Sequence, residues 1–171
     1  MLSEREVRDL VDVPAAEMYR RFTRIDYWQD LVDFYQENST RTEIVRFESH
    51  ENGTEVAFAH IMTPEDLPAI ARPVVPAVLT ITREQHFDLF QPEADQAVGH
   101  YRATTSAVPF EITGEYLLRG AGPRSQMRID THCSVKVPII GGQIEKLIIN
   151  GLSTLFANEG EFTAEWVAGH R

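Results

Sequence analysis

Between residues 79 and 135 the chain alternates apolar and polar side chains in runs broken by three turn signals, a pattern that admits few folds. A hairpin centred on Pro92-Glu93 sets His86 against His100 and Phe87 against Gly99. One centred on Val108-Pro109 sets Thr105 against Ile112, Ala103 against Gly114 and Tyr101 against Tyr116. A third, closed by Gly120 to Pro123, sets Tyr116 against Met127, Gly114 against Ile129 and Ile112 against Thr131. Cross-strand partners project from the same side of a sheet, so each turn assigns faces independently. The assignments agree. One face carries Leu79, Ile81, Phe87, Tyr101, Ala103, Phe110, Ile112, Tyr116, Leu118, Met127, Ile129 and Cys133, and the other carries Thr, Glu, His, Arg and Asp side chains. An antiparallel meander with one wet face is the fold that satisfies both sets.

Upstream, Asn52-Gly53 suits a type I′ hairpin turn, which pairs Phe47 with Phe58 and Val45 with His60. Ser3 to Val13 reads as a further strand, and Pro14 fits the first turn of a helix because its missing N–H has no partner there anyway. Helical spacing follows over Ala15 to Phe22 and again over Tyr27 to Gln36, with Trp28, Leu31, Val32 and Tyr35 on one face. The tract from Thr63 to Pro76 holds four prolines and reads as an irregular connection with at most a helical turn.

From Ile139 to about Ala168 there is no proline, and the period changes to that of a helix. Ile140, Ile144, Leu147, Ile148, Gly151, Leu152, Leu155, Phe162 and Trp166 form a broad stripe, with Glu145, Lys146 and Glu161 placed away from it. Such a helix is roughly 40 Å long, enough to cross a domain. No repeat or linker divides the 171 residues, so a single domain spanning 1–171 is expected.

Composition narrows the partners. Asp and Glu outnumber Lys and Arg 26 to 16, and a net charge of −10 repels nucleic acid and anionic headgroups. The single cysteine, Cys133, excludes an internal disulfide and Cys-rich metal sites. The first thirteen residues lack an apolar signal core, and no stretch approaches the ~20 apolar residues of a spanning helix. A cytoplasmic protein without membrane insertion is therefore expected, and Asn38-Ser39-Thr40 and Asn52-Gly53-Thr54 read as chance matches to the glycosylation pattern.

The order strand, two short helices, six strands and a long amphipathic helix resembles the START-like (polyketide cyclase/dehydrase, SRPBCC) superfamily over essentially the whole chain. More narrowly, the run Val137 to Leu147 (VPIIGGQIEKL), the run Glu161 to Trp166 (EFTAEW) and Pro64-Glu65-Asp66-Leu67-Pro68 are similar to an actinobacterial family of unknown function within it. Phe156 to Gly160 departs from that pattern, with a glycine inside the helix. The resemblance implies an α+β helix-grip fold, in which a curled antiparallel sheet of about seven strands wraps a long C-terminal helix. It also implies a cavity for a hydrophobic small molecule between the two. The small residues Gly99, Ala103 and Gly114 on the inner face leave room for a ligand or for close helix approach, or let the sheet bend.

Several polar groups point to the same face. His60 sits there between Phe58 and Met62, and Tyr101, Tyr116 and Arg83 share it. A few polar groups converging in an apolar pocket are how ligand sites fix orientation. The candidate ligand-binding set is His60, Phe58, Arg83, Tyr101, Ala103, Ile112, Tyr116 and Ile129 from the sheet, with Leu147, Gly151 and Leu155 from the helix. No catalytic residue is assigned. His86 and His100 share the polar face without further ligands, no His pair has i, i+4 spacing, and Cys133 has an apolar setting away from His132, so neither a metal nor a cofactor is expected. Gly141-Gly142 lacks the Lys-Ser/Thr of a phosphate loop and reads as a tight turn. Binding or carriage of a lipid-like or polyketide-like molecule without catalysis is the leading expectation. A cyclase/dehydratase using a pocket His or Tyr as general acid/base, and an interaction module with a collapsed cavity, are the alternatives.

Overall fold

The computed structural model describes residues 1–10, 13–38, 41–75 and 77–170. Val11 and Asp12 at the end of the expected first strand, Ser39-Thr40 of the first glycosylation match, and Pro76 lie outside the described residues. In chain order the elements are β1 (Leu2–Leu10), α1 (Ala15–Phe22), α2 (Ile25–Glu37), β2 (Arg41–His50), β3 (Gly53–Met62), β4 (Leu79–Phe87), β5 (Gln96–Thr104), β6 (Phe110–Ala121), β7 (Arg124–Val135) and α3 (Gly141–Gly169). The proline-rich connection from β3 to β4 contains two single 3-10 turns, Pro64–Asp66 and Arg72–Val74.

All seven strands form one antiparallel sheet in the order β1-β7-β6-β5-β4-β3-β2. The chain belongs to the α+β class, with the sheet curled under α3 and the two short helices placed early. The apolar set read from the turns forms the inner face, since Tyr101, Ile112, Tyr116, Leu118, Ile129 and Cys133 are all at most 5% exposed. His86 pairs with His100 and Phe87 with Gly99, as the Pro92-Glu93 turn requires.

The β5–β6 and β6–β7 hairpins keep the expected faces but move their partners by two residues. Tyr101 lies opposite Gly114, and Ala103 opposite Ile112. Tyr116 lies opposite Ile129, and Gly114 opposite Thr131. In the first hairpin Phe47 faces Val56 instead of Phe58, and His60 faces Thr42 because a bulge follows Ile44. The causes are local. The β2–β3 turn falls on Glu51-Asn52 because the residue that takes the left-handed backbone is Gly53 (φ +120°), the first residue of β3. A two-residue shift preserves side-chain parity, so the face assignment survives the change.

The small inner residues have a specific use. A Cβ on Gly99 would lie 2.8 Å from the Phe87 ring, and one on Gly114 would lie 2.0 Å from the Tyr101 ring. Each glycine is the cross-strand partner of the aromatic that covers it. The room they provide is therefore filled by neighbouring rings.

α3 is continuous for 29 residues and passes through Gly160 without a break. Its buried line is Gly141, Ile144, Glu145, Ile149, Phe156, Thr163, Trp166 and Val167. Along most of the helix this runs one residue later than the expected stripe. Leu147 is 39% exposed, Gly151 is exposed, and Glu145 is buried instead of outward. Apolar residues are adjacent at 148–149, 155–156, 162–163 and 166–167 except for Thr163, so periodicity alone does not separate the two rows. At the helix start, Gly141 packs so close to β7 that a Cβ would stand 2.5 Å from the Val135 carbonyl oxygen.

Gly114→Ala should destabilise the protein by about 1–3 kcal/mol, because the new methyl overlaps the Tyr101 ring and forces it out of its packed position. Gly160→Ala, where a Cβ meets no atom within 4 Å, should instead stabilise by up to about 1 kcal/mol through helix propensity. Urea denaturation of both variants would check the contrast.

Candidate ligand cavity

A cavity of about 60 Å³ lies between the sheet and α3. Its apolar wall is Leu10, Phe22, Phe87, Met127, Ile129 and Phe156; the polar groups facing it come from Arg8, Tyr27, Gln85, Tyr116, Glu159 and Thr163. The wall is largely aromatic. Trp28, Phe22, Phe87 and Tyr116 form a continuous series of rings that runs on to Tyr101 behind the wall, with centroid separations of 5.7, 5.1, 5.3 and 5.0 Å, stacked at Phe22–Phe87–Tyr116 and tilted at either end. Phe22 comes from the last residue of α1, whose buried face brings Met18, Tyr19 and Phe22 onto the sheet.

The polar groups are mostly satisfied by one another. Tyr116 donates to Gln85 Oε1 at 2.7 Å, and Tyr27 shares a 2.8 Å bond with the Thr163 hydroxyl. Thr163 in turn donates to the Glu159 carbonyl oxygen at 2.7 Å. Tyr101, with its hydroxyl 2.5 Å from that of Thr131, has its polar end engaged away from the cavity wall. Burial pushes the tyrosine hydroxyls up, Tyr101 to about 12, so all three remain neutral donors and acceptors.

Beside the cavity lies a buried ion pair. Arg83 Nη2 donates to Glu159 Oε1 at 3.0 Å, Tyr35 donates to the same oxygen, and the guanidinium sits 4.9 Å from the Phe58 ring centroid. Arg83 is 3% exposed, while the Glu159 side chain, on the cavity wall, keeps 19%. Among the described residues, Arg83 Nε and Nη1 have no hydrogen-bond partner. Burial pushes the Glu159 carboxyl up, to about 8, while the neighbouring guanidinium pulls the other way; burial also lowers Arg83.

Of the eleven expected site residues, Tyr116 and Ile129 line this cavity. Arg83 reaches it through Glu159. Phe58, Tyr101, Ala103 and Ile112 are inner-face core residues, at most 5% exposed, that pack outside the lining. His60 bonds Thr42 at 3.0 Å near the open edge of the sheet, with its ring 5.8 Å from that of Tyr35. Leu147 and Gly151 are exposed and Leu155 is half-buried, all outside the lining. The physical reason is position along α3: the cavity sits under Phe156 to Thr163, not under the helix centre. Sequence reasoning missed the rest of the lining, and three of those residues, Phe156, Glu159 and Gly160, lie in the stretch that departs from the family pattern. An acidic residue and a glycine interrupting an apolar stripe was the available signal.

Among the described residues no group of three or more His, Cys, Asp or Glu side chains is placed to hold a metal ion, and no helix is long and apolar enough to cross a membrane.

A curled antiparallel sheet closed by a long C-terminal helix over an apolar cavity is a helix-grip architecture. The chain belongs to the family described as "Protein of unknown function (DUF2505)", which it matches over residues 6–167. An uncharacterized protein of Mycobacterium tuberculosis (strain ATCC 25618 / H37Rv) is 24% identical over 159 residues, 90% of each chain. Among solved structures, a protein of Thermus thermophilus superposes with a TM-score of 0.61 at 13% identity, covering 99% of both chains. The di-domain ARO/CYC BexL from the BE-7585A biosynthetic pathway gives 0.57 at 16% identity, with 98% of this chain covering 47% of that longer one. Norcoclaurine synthase from Thalictrum flavum, in complex with dopamine and hydroxybenzaldehyde, gives 0.53 at 13% identity, covering 99% of this chain and 89% of that one. At these identities the likeness is one of fold.

Two groups set opposite pH limits. Burial and the Arg83 charge push His60 down to about 3 from 6.5, so it folds neutral. Its contribution is present above pH 6.5 and is lost as pH falls toward 3. The raised Glu159 carboxyl contributes below pH 4.5, and that contribution is lost as pH rises through about 8. Urea midpoints measured from pH 4 to 9 should therefore fall less on acidification in His60→Gln than in the unmodified protein.

Proposed function

We propose that this protein binds a hydrophobic, ring-bearing small molecule between the sheet and the C-terminal half of α3. The observation that carries this reading is the cavity wall itself, a row of contacting aromatic rings together with a short set of polar groups. That composition is what small-molecule sites use, with apolar area for affinity and a few polar atoms for orientation. The shared fold with a synthase solved in complex with two small aromatic molecules, and with a cyclase of a biosynthetic pathway, supports the same reading.

The enclosed volume sets a condition on it. About 60 Å³ accommodates a few water molecules, against the ~300–1,000 Å³ of sites that hold drug-sized ligands. Ligand entry thus requires the walls to separate, and α3 is the element that moves. Its inner row near the cavity holds Gly160, with open space at its Cβ position, and Glu159, whose ion pair ties the helix to β4. The small volume also favours a second reading, an interaction module whose cavity is filled by its own side chains.

Titration with the neutral fluorescent probe N-phenyl-1-naphthylamine separates the two. Binding should saturate at one probe per chain, and Met127→Trp, which adds bulk to the β7 wall, should weaken it by ~tenfold or more while circular dichroism stays unchanged. Native mass spectrometry of gently purified protein should reveal an organic adduct. A linear, unsaturable response together with a clean apo mass would sink the binding reading in favour of the filled module.

A further inference from the structure

Arg83 carries five N–H donors and uses only those on Nη2, toward Glu159 at 3.0 Å and Tyr35 at 3.5 Å. Its Nε and Nη1 are buried and have no partner among the described residues, on a side chain 3% exposed. Buried polar atoms in folded proteins are paired in the great majority of cases, and an idle guanidinium edge is costly to keep. Neighbouring side chains do not relieve it. Tyr116 is committed to Gln85, Tyr101 to Thr131 and Tyr27 to Thr163. The carboxylate that touches Arg83 is Glu159, and Glu159 is itself part of the cavity wall. It therefore links the cavity wall to the guanidinium that carries the unused donors.

Building on the binding reading above, we propose that the ligand is a hydrophobic carboxylate. Its carboxyl group displaces Glu159 from Arg83 and is held by the guanidinium fork, while its apolar body lies on the Phe22–Phe87–Tyr116 ring series. A planar guanidinium matches a carboxylate through two parallel N–H···O bonds, a geometry that a single shared Glu159 oxygen does not provide. One positive charge cannot balance two carboxylates in a buried site. Glu159 either swings out, which releases α3 from β4, or takes up a proton from solvent, which its raised affinity for protons favours. The Arg83–Glu159 pair thus works as an internal stand-in for the ligand and holds the cavity closed until a competing carboxylate arrives. Arg8 lines the cavity directly and its Nε is likewise buried without a partner among the described residues, but Arg83 leaves two nitrogens idle, and Arg8 Nη2 is held by Glu6 at 2.6 Å and the Ser153 carbonyl oxygen at 2.8 Å.

Isothermal titration with matched probes tests this on the full chain. 2-Naphthoate and 2-naphthol share a ring body, and decanoate and decan-1-ol share an alkyl body. In the unmodified protein the carboxylate of at least one pair should bind ~tenfold or more tightly than its neutral partner. The preferred pair identifies an aromatic or an aliphatic source. Arg83→Gln should abolish the preference, so that the carboxylate binds no more tightly than its neutral partner. Because Arg83→Gln leaves Glu159 buried without its partner and could unfold the chain, Glu159→Gln provides an independent arm. Removing the internal competitor should raise carboxylate affinity several-fold more than it changes alcohol affinity, widening the preference. Neutral probes that bind as well as the carboxylates would overturn the carboxylate inference and leave the cavity reading standing. Loss of the preference in Arg8→Gln instead of Arg83→Gln, or no gain in Glu159→Gln, would equally overturn it. If none of the four probes binds, the cavity reading and this inference fall together.

Discussion

A seven-stranded sheet with one apolar face has to cover that face, and the manner of covering decides almost everything else in this molecule. One helix of 29 residues is long enough to cross the curled sheet, but a straight rod cannot fill a concave surface completely. α1 and α2 close one side, placing Phe22, Tyr27 and Trp28 against the sheet. The aromatic cavity is the space left where these three coverings meet. Its location under the C-terminal half of α3 follows from geometry, since that is the part of the helix which α2 also reaches, through Tyr27 and Thr163 and through Asp30 and Trp166.

Much of the fold was legible because β-sheets encode face by parity. Each turn that placed Phe87, Tyr101, Tyr116 and Ile129 on one side was sufficient, even when its centre was one residue off. What parity does not encode is which residue lies opposite which. That depends on the residues taking positive φ, here Gly53, Asp95 and Gly122, and on the bulge in β2 that no local pattern announces. The helix was legible in extent and not in rotation. Side-by-side apolar residues at 148–149 and 155–156 leave two equally apolar rows, and only packing against β1 and β7 selects one.

The candidate site was read less well, for a related reason. Polar residues on an inner strand face stand out from sequence, and so Arg83 and Tyr116 were found. A lone glutamate on a mostly apolar helix looks like a solvated charge. Glu159 is instead the residue that joins the buried cation of the sheet to the cavity, and its role is visible only once helix and strand are brought together. His60 shows the converse. Its face was assigned correctly, yet it lies toward the open edge beside Thr42, where burial keeps it neutral and remote from the cavity wall.

The two glycines of the inner face have an effect at a distance. Because Gly99 and Gly114 have no side chains, Phe87 and Tyr101 lie over the neighbouring strand instead of standing up beneath α3. The hollow is thus made by subtraction one strand away from where it appears. A methyl group added to either glycine would lift a ring into the space above and alter the shape of the chamber, although neither glycine touches its interior. Divergence in what such proteins accommodate can therefore begin at positions that face no ligand.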